Sequence, residues 1–264
     1  MQSQGGSNMK KLGVLILSLV FLCSFALTGC AKNNAGAGGI VKVGTDAAYP
    51  PFEKQEGDGK LTGFDIELMN AIAKAGGFEV DIQHAGWDPM LDAVKNGKLD
   101  AGISAISITD DRKKVYDFSD PYFDAKQLIL VPANSNVQSL KDLKGKRIGV
   151  QTGTTGEIVV QKAFGKTYQG IKGYDDTPAA IDDLANGRVD AVVADNGVVL
   201  EYLKKLPAGK FKKVEDQSFE PEQYGIIVKK GNKELLKKIN DGLKKIRENG
   251  TYKKIYEKYF GPMQ

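Results

Sequence analysis

The chain has 264 residues, 41% hydrophobic and 27% charged, an ordinary globular composition long enough for one large domain or two lobes. Its 37 basic and 33 acidic side chains leave a net charge of +4, and lysine pairs such as 204–205, 212–213 and 229–230 alternate with acids. That spacing describes a solvated surface rather than a nucleic-acid patch, and two cysteines with one histidine exclude a CxxC redox motif and a His- or thiolate-based metal site.

The first thirty residues stand apart. Lys10 and Lys11 precede the apolar run "LGVLILSLVFLCSFAL" and the small-residue stretch Thr28-Gly29-Cys30, the layout of a secretory signal. Either Met1 or Met9 fits as the start. "LTGC" resembles the bacterial lipoprotein signal, in which Cys30 becomes the acylated first residue. Acyl chains contribute about 0.8 kcal/mol per buried methylene, enough in combination to hold a protein on a membrane surface. "AKNNAGAGG" (31–39) then suits a flexible tether. Removing the signal takes Cys23 with it, so no intrachain disulfide is expected, and the mature balance is 35 basic to 33 acidic residues, a net of +2.

From residue 40 short β runs alternate with helical segments. "IVKVGT" (40–45) predicts a strand, and "FDIELMNAIAKAGG" (64–77) has helical apolar spacing and ends on glycines. "FEVDIQHA" predicts a strand, "MLDAVKNGK" a short helix and "LDAGISAISI" (99–108) a strand. "QLILVP" (127–132), "KRIGVQT" (146–152) and "VDAVVAD" (189–195) are further β runs, with helices expected in "SLKDLKG" and "AAIDDLANG". The alternation predicts parallel sheets with crossover helices. "DAVKNGKLDAGISA" (92–105) and "DDLANGRVDAVVAD" (182–195) share one layout ninety residues apart, which two similar α/β lobes explain better than a solenoid. Open α/β sheets bind ligands outside the carboxyl ends of their strands.

Four loops follow predicted strands. "TDAAYPPFE" places Asp46 and Tyr49 near a strand end. "GWDPM" holds Trp87, the only Trp, either as core packing or as a ligand-facing wall in a Gly/Pro loop. In "SAISITDDRKKVY" (104–116), Thr109 is an N-cap candidate and Arg112 falls in the first helical turn, where the helix dipole disfavours a cation. Either Arg112 reaches back to an anion through its planar fork, or the cluster is a solvated helix face partly offset by Asp110 and Asp111. Lys113 and Lys114 fit the solvated face. "GVQTGTTGE" (149–157) has capping-box spacing at Thr154 and Glu157, so a helix start could present N–H groups to an anion, but no P-loop lysine follows. An Arg fork for a carboxylate, Asp195 for an ammonium, two aromatics and Asp46 for a cationic tip compose an amino-acid receptor. No comparable catalytic set exists: His84 lies in a strand-like run and fits packing, and no nucleophile has a base beside it. No cofactor or metal is implied.

"GTDAAYPPFE", "GFDIEL", "ISITDDRKKVYDFSDPY", "LKGKRIGVQTGTTGE", "DAVVAD" and "RENGTYKKIYEKYFG" together resemble the bacterial extracellular solute-binding proteins, family 3, over roughly residues 40–261. The resemblance implies a two-lobed, type II periplasmic-binding-protein-like α/β fold, each lobe a sheet flanked by helices, joined by two hinge crossings. The expected division is 1–29 signal, 30–39 lipidated Cys30 and tether, 40–125 plus 223–264 first lobe, and 126–222 second lobe. It implies that Arg112 clamps the ligand α-carboxylate with Ser107 and Thr155 adding hydrogen bonds, that Asp195 takes the α-ammonium, and that Tyr49 and Trp87 wall the side chain. Asp46 stands nearest its far end, Gln151 where specificity varies, and Ser104, Ala105 and Thr152 complete the site; Ala105 replaces a Ser found in some lysine/arginine binders. Glutamine binders tend to carry a basic residue at the position of Gln151 and a His at that of Ala194. These features favour L-arginine, then lysine or histidine, with glutamine second. The implied partner is an ABC permease in the cytoplasmic membrane. The implied state is a monomer held at the outer membrane face or in the periplasm. An enzyme is the rival class, since some dehydratases resemble the family, and Glu157 is then the acid candidate.

Overall fold

The structure is a computed structural model and describes residues 39–263. The signal segment, Cys30 and the tether as far as residue 38 lie outside the described residues.

Two five-stranded sheets carry the fold. In the first, β1 (Val41–Thr45) runs parallel to β5 (Val80–His84) on one side and β6 (Ala101–Gly102) on the other. β15 (Ile227–Lys229) and β7 (Tyr116–Phe118) follow antiparallel, giving the order β5-β1-β6-β15-β7. In the second, β10 (Ile148–Gln151) lies parallel between β11 (Ile171–Tyr174) and β12 (Ala191–Asp195), and β9 (Gln127–Pro132) and β13 (Phe211–Val214) add two antiparallel strands. The sheets are therefore mixed, not wholly parallel as the alternation predicts, because one strand in each, β15 in the first and β9 in the second, runs antiparallel to its neighbours on both sides. A short antiparallel pair, β8 (Phe123–Ala125) with β14 (Glu222–Tyr224), stands where the chain passes between the sheets.

The internal echo is structural. Asp100 and Asp190 each precede a central strand, and each accepts a backbone N–H from the start of a neighbouring strand: Lys42 to Asp100 Oδ2 and Arg147 to Asp190 Oδ2, both at 2.8 Å. β6 is much shorter than the expected 99–108 strand. Ala105 adopts φ 46°, which turns the chain out of the extended run, and Ser107 makes only an isolated bridge to Tyr224. Residues 140–143 form a 3-10 turn capped by Ser139 and Asp142, not an α-helix.

Helix α1 (Phe64–Gly76) buries Phe64, Leu68, Met69 and Ile72 on one stripe. Helix α7 (Lys233–Glu248) presents Leu235, Ile239, Leu243 and Ile246 to the same core, at spacings of three and four residues. Gly242 permits the approach, since a Cβ there would stand 2.3 Å from the Ile72 carbonyl oxygen. Helix α8 (Thr251–Phe260) closes this core with aromatic rings around Phe64. Among the described residues no helix is long and apolar enough to cross a membrane.

Candidate functional site

The loops at the carboxyl ends of β1, β6, β10 and β12 meet across a narrow cleft whose empty volume, its open mouth included, is about 290 Å³. Asp46, Tyr49, Trp87, Ser104, Ala105 and Arg112 line it from the side of the first sheet, and Gln151, Thr155 and Asp195 from the second. Thr154, the helix cap, also lines it and was not singled out for contact by the sequence.

Helix α3 (Asp110–Val115) begins as its sequence predicts, with Thr109 Oγ1 accepting the Arg112 N–H at 3.2 Å. The Arg112 guanidinium then turns back across the cleft. It donates to the Ser107 carbonyl at 2.9 Å and to the Gly153 carbonyl at 3.1 Å, bridging the two sides. Two of its five N–H donors are used in this way. Its carbon stands 5.2 Å from the centroid of the Trp87 ring, within cation–π range. Trp87 is not in a loop: it opens helix α2 (Trp87–Asn96), where it packs with Met90, Val94 and Leu99 and also faces the cleft. It is thus both a packed residue and part of the cleft lining.

Asp195, at the end of β12, accepts the Tyr49 hydroxyl at 2.7 Å and a bond from the Gln127 amide. Burial, and then the charge of Glu222, push its pKa up to about 6. It therefore remains mainly ionised at neutral pH, beside an Arg112 whose own pKa burial lowers from the ordinary guanidinium value. Gln151 donates to Asp46 Oδ2 at 2.9 Å and to the Asp175 carbonyl at 3.1 Å, while its oxygen accepts from Thr177 at 2.9 Å. Those three bonds fix the amide's orientation. Asp46 is buried, and burial raises its pKa despite the Gln151 bond. Asp88, Asp175 and Asp176 stand around the groove outside it, so this end of the cleft is acidic. The cleft thus offers a cation and an anion that act on each other, Arg112 and Asp195, and a further carboxylate, Asp46, in an acidic surround.

Ser107 and Thr152 stand elsewhere. The Ser107 hydroxyl, not among the lining groups, donates to Glu222 Oε2 at 2.5 Å, and Thr155, which does line the cleft, donates to the same oxygen at 2.7 Å. Glu222 on β14 and Gln127, which also donates to it at 2.9 Å, were missed by sequence reasoning. Neither carries a local pattern, and both act across long separations. Thr152 is exposed and lies in the outer groove with Tyr174. At the start of α4 (Thr155–Phe164), Thr154 accepts the Glu157 N–H at 3.4 Å, but Glu157 reaches back to the Gly153 N–H at 2.8 Å, one residue beyond the expected box. That N–H is therefore occupied by the chain's own carboxylate. His84 is exposed rather than packed, and its Nδ1 accepts the Ala47 N–H at 3.0 Å, steadying the Asp46 loop.

The family model described as "Bacterial extracellular solute-binding proteins, family 3" matches residues 41–262. A "Probable histidine-binding protein" from Neisseria gonorrhoeae is 42% identical over 258 residues, covering 96% of each chain. The crystal structure of the arginine-, lysine-, histidine-binding protein ArtJ from Geobacillus stearothermophilus superposes with a TM-score of 0.82 at 47% identity, covering 86% of this chain and 97% of the other. An ancestral arginine-binding protein bound to glutamine superposes with a TM-score of 0.78, also at 47% identity, covering 84% and 98%. With the two-sheet architecture and a match across nearly all of the described residues, the chain belongs to the bacterial extracellular solute-binding proteins, family 3.

Proposed function

We propose that the cleft binds one free L-amino acid with a cationic side chain, arginine first and then lysine or histidine, as the extracytoplasmic substrate-binding component of an ABC importer. The lobes are residues 40–125 with 223–264, and 126–222. They close on the ligand, and the closed form docks on the permease. The observation that carries this reading is the polarity of the cleft. Arg112 and Asp195 both line it, a cation for an α-carboxylate and an anion for an α-ammonium, and Asp46 with its acidic neighbours offers a site for a cationic tip. The names of the histidine-binding relative and of ArtJ support the same ligand class. Glutamine is the second reading, favoured by the neutral Gln151 amide beside Asp46 and by the ancestral relative bound to glutamine. The protein performs no chemistry of its own in this reading, because Glu157 is held by its own loop.

A thermal-shift screen of residues 31–264 against the twenty amino acids tests it. Arginine should raise stability by about 2.7 kcal/mol at a hundredfold excess over its dissociation constant. A shift with none of the twenty would refute amino-acid binding, and a glutamine shift larger than arginine's would select the second reading. Acylation at Cys30 holds this monomer on the outer membrane face. Labelled fatty acid should enter the full chain, and label that survives Cys30→Ala would refute the anchor.

A further inference from the structure

Directly behind the ligand-facing wall, Glu53 and Asp65 are completely buried. Glu53 opens strand β3 (Glu53–Gln55), and Asp65 lies in the first turn of α1. Gly63 brings them together. Its φ is 129°, and a Cβ there would stand 2.2 Å from the Phe52 carbonyl oxygen. The helix start can therefore dock on the strand, where the Phe64 N–H donates to the Pro51 carbonyl and the Asp65 N–H to that of Phe52.

Both carboxyls hold the wall from behind. Glu53 Oε1 accepts the Ser104 hydroxyl at 2.7 Å, and Ser104 Oγ accepts the Asp46 N–H at 3.0 Å. Asp65 Oδ2 accepts the Ala105 N–H at 2.7 Å and the Tyr122 hydroxyl at 2.8 Å. Among the described residues Ala105 alone adopts positive φ without being glycine, a conformation that persists only where its surroundings enforce it. The remaining oxygens, Glu53 Oε2 and Asp65 Oδ1, are buried without a donor, and each carboxyl acts on the ionisation of the other. Among the described residues the titratable groups facing them are Asp46, Tyr49 and Tyr122, and no cation there pairs with either. Two carboxylates so placed would repel each other and leave both oxygens unsatisfied.

We infer that Glu53 and Asp65 share one proton and act as a single positioning pair that holds Ser104 and Ala105 in the ligand-facing wall. Asp65 is the anion: two donors converge on it, and the first turn of a helix favours negative charge. Glu53 carries the proton on Oε2 and donates it to Asp65 Oδ1, which gives each orphaned oxygen a partner. Burial, the largest cause for both, raises Glu53 well above the usual carboxylate range and Asp65 to about 7. A pKa raised by folding contributes stability at low pH that is lost as pH rises through the folded value.

The positioning role rests on amino-acid binding in this cleft, whereas the shared proton does not, and the test separates them. At pH 8 exposed carboxyls are ionised, so the infrared spectrum of the purified chain should retain a protonated-carboxyl C=O band that Glu53→Gln removes. No such band in the wild type, or its persistence in Glu53→Gln, would overturn the shared proton whether or not any amino acid binds. Glu53→Gln keeps both hydrogen bonds, and arginine affinity should stay within about threefold of wild type. Glu53→Ala, confirmed as folded by circular dichroism, should bind arginine at least about tenfold more weakly. Wild-type affinity in Glu53→Ala, or a large loss in Glu53→Gln, would overturn the positioning role.

Discussion

Arg112 stands in the first turn of a six-residue helix, where a cation is disfavoured, and its head leaves the helix for two carbonyls on opposite sides of the cleft. Lys113 and Lys114, beside it, stay exposed and pair with Asp110 and Asp111 in contacts of little energetic weight. The cluster is therefore one arginine turned into the cleft beside a solvated surface. Replacing Arg112 with lysine keeps the charge and removes the fork. A lost charge-assisted hydrogen bond is worth about 1.5–3 kcal/mol, so arginine should bind roughly ten- to a hundredfold more weakly by calorimetry. An unchanged affinity would take Arg112 out of the site. Arg112 was legible because it broke a local rule at a strand end. Asp46, Tyr49 and Asp195 were legible because they too follow strands. Glu222, Gln127, Glu53 and Asp65 were not, since their work is done by contacts 28 to 115 residues away in the chain.

At the scale of elements, the strands that match their sequences are the buried apolar runs β1, β9 and β12, and the long helix α1 matches to within a residue of its glycine end. The failures share a cause. The 99–108 run looks continuous because every residue from Leu99 to Ser107 except Asp100 is buried, but burial at a cleft wall is not burial in a sheet. There the backbone leaves the ladder at Ala105, whose N–H goes to the Asp65 side chain, and residues 106–108 turn to the β14 segment, where Ile106 accepts the Gly225 N–H and Ile108 donates to the Gln223 carbonyl. Trp87 likewise reads as a loop residue from the flanking Gly86 and Pro89. A proline within the first helical turn costs no internal hydrogen bond, so the helix starts two residues before it. The antiparallel returns in both sheets were hidden because strand direction depends on the connection, and those connections carry no periodic signal of their own.

For the whole molecule, a small number of polar ties join the two sides of the cleft. Arg112 reaches Gly153, Tyr49 reaches Asp195, and Gln151 reaches Asp46. Ser107 and Thr155 share Glu222. Each such bond contributes about 0.5–1.5 kcal/mol net, so the ties together supply a few kcal/mol against the freedom gained on opening. That balance suits a hinge biased by its ligand, since moving an equilibrium from 1:99 to 99:1 takes about 5.5 kcal/mol of differential affinity. An amino acid spanning Arg112, Asp195 and Asp46 would contact both sides at once and provide it. Small-angle X-ray scattering of the ligand-free chain should therefore give a larger radius of gyration than the arginine-saturated chain. Tyr49→Phe removes one tie without removing the ring, so it should enlarge the ligand-free form further and weaken apparent affinity, while the saturated form keeps the wild-type radius. If calorimetry shows arginine bound and the radius does not fall, ligand is held without closure, and the coupling between the two sheets drawn from these ties is wrong.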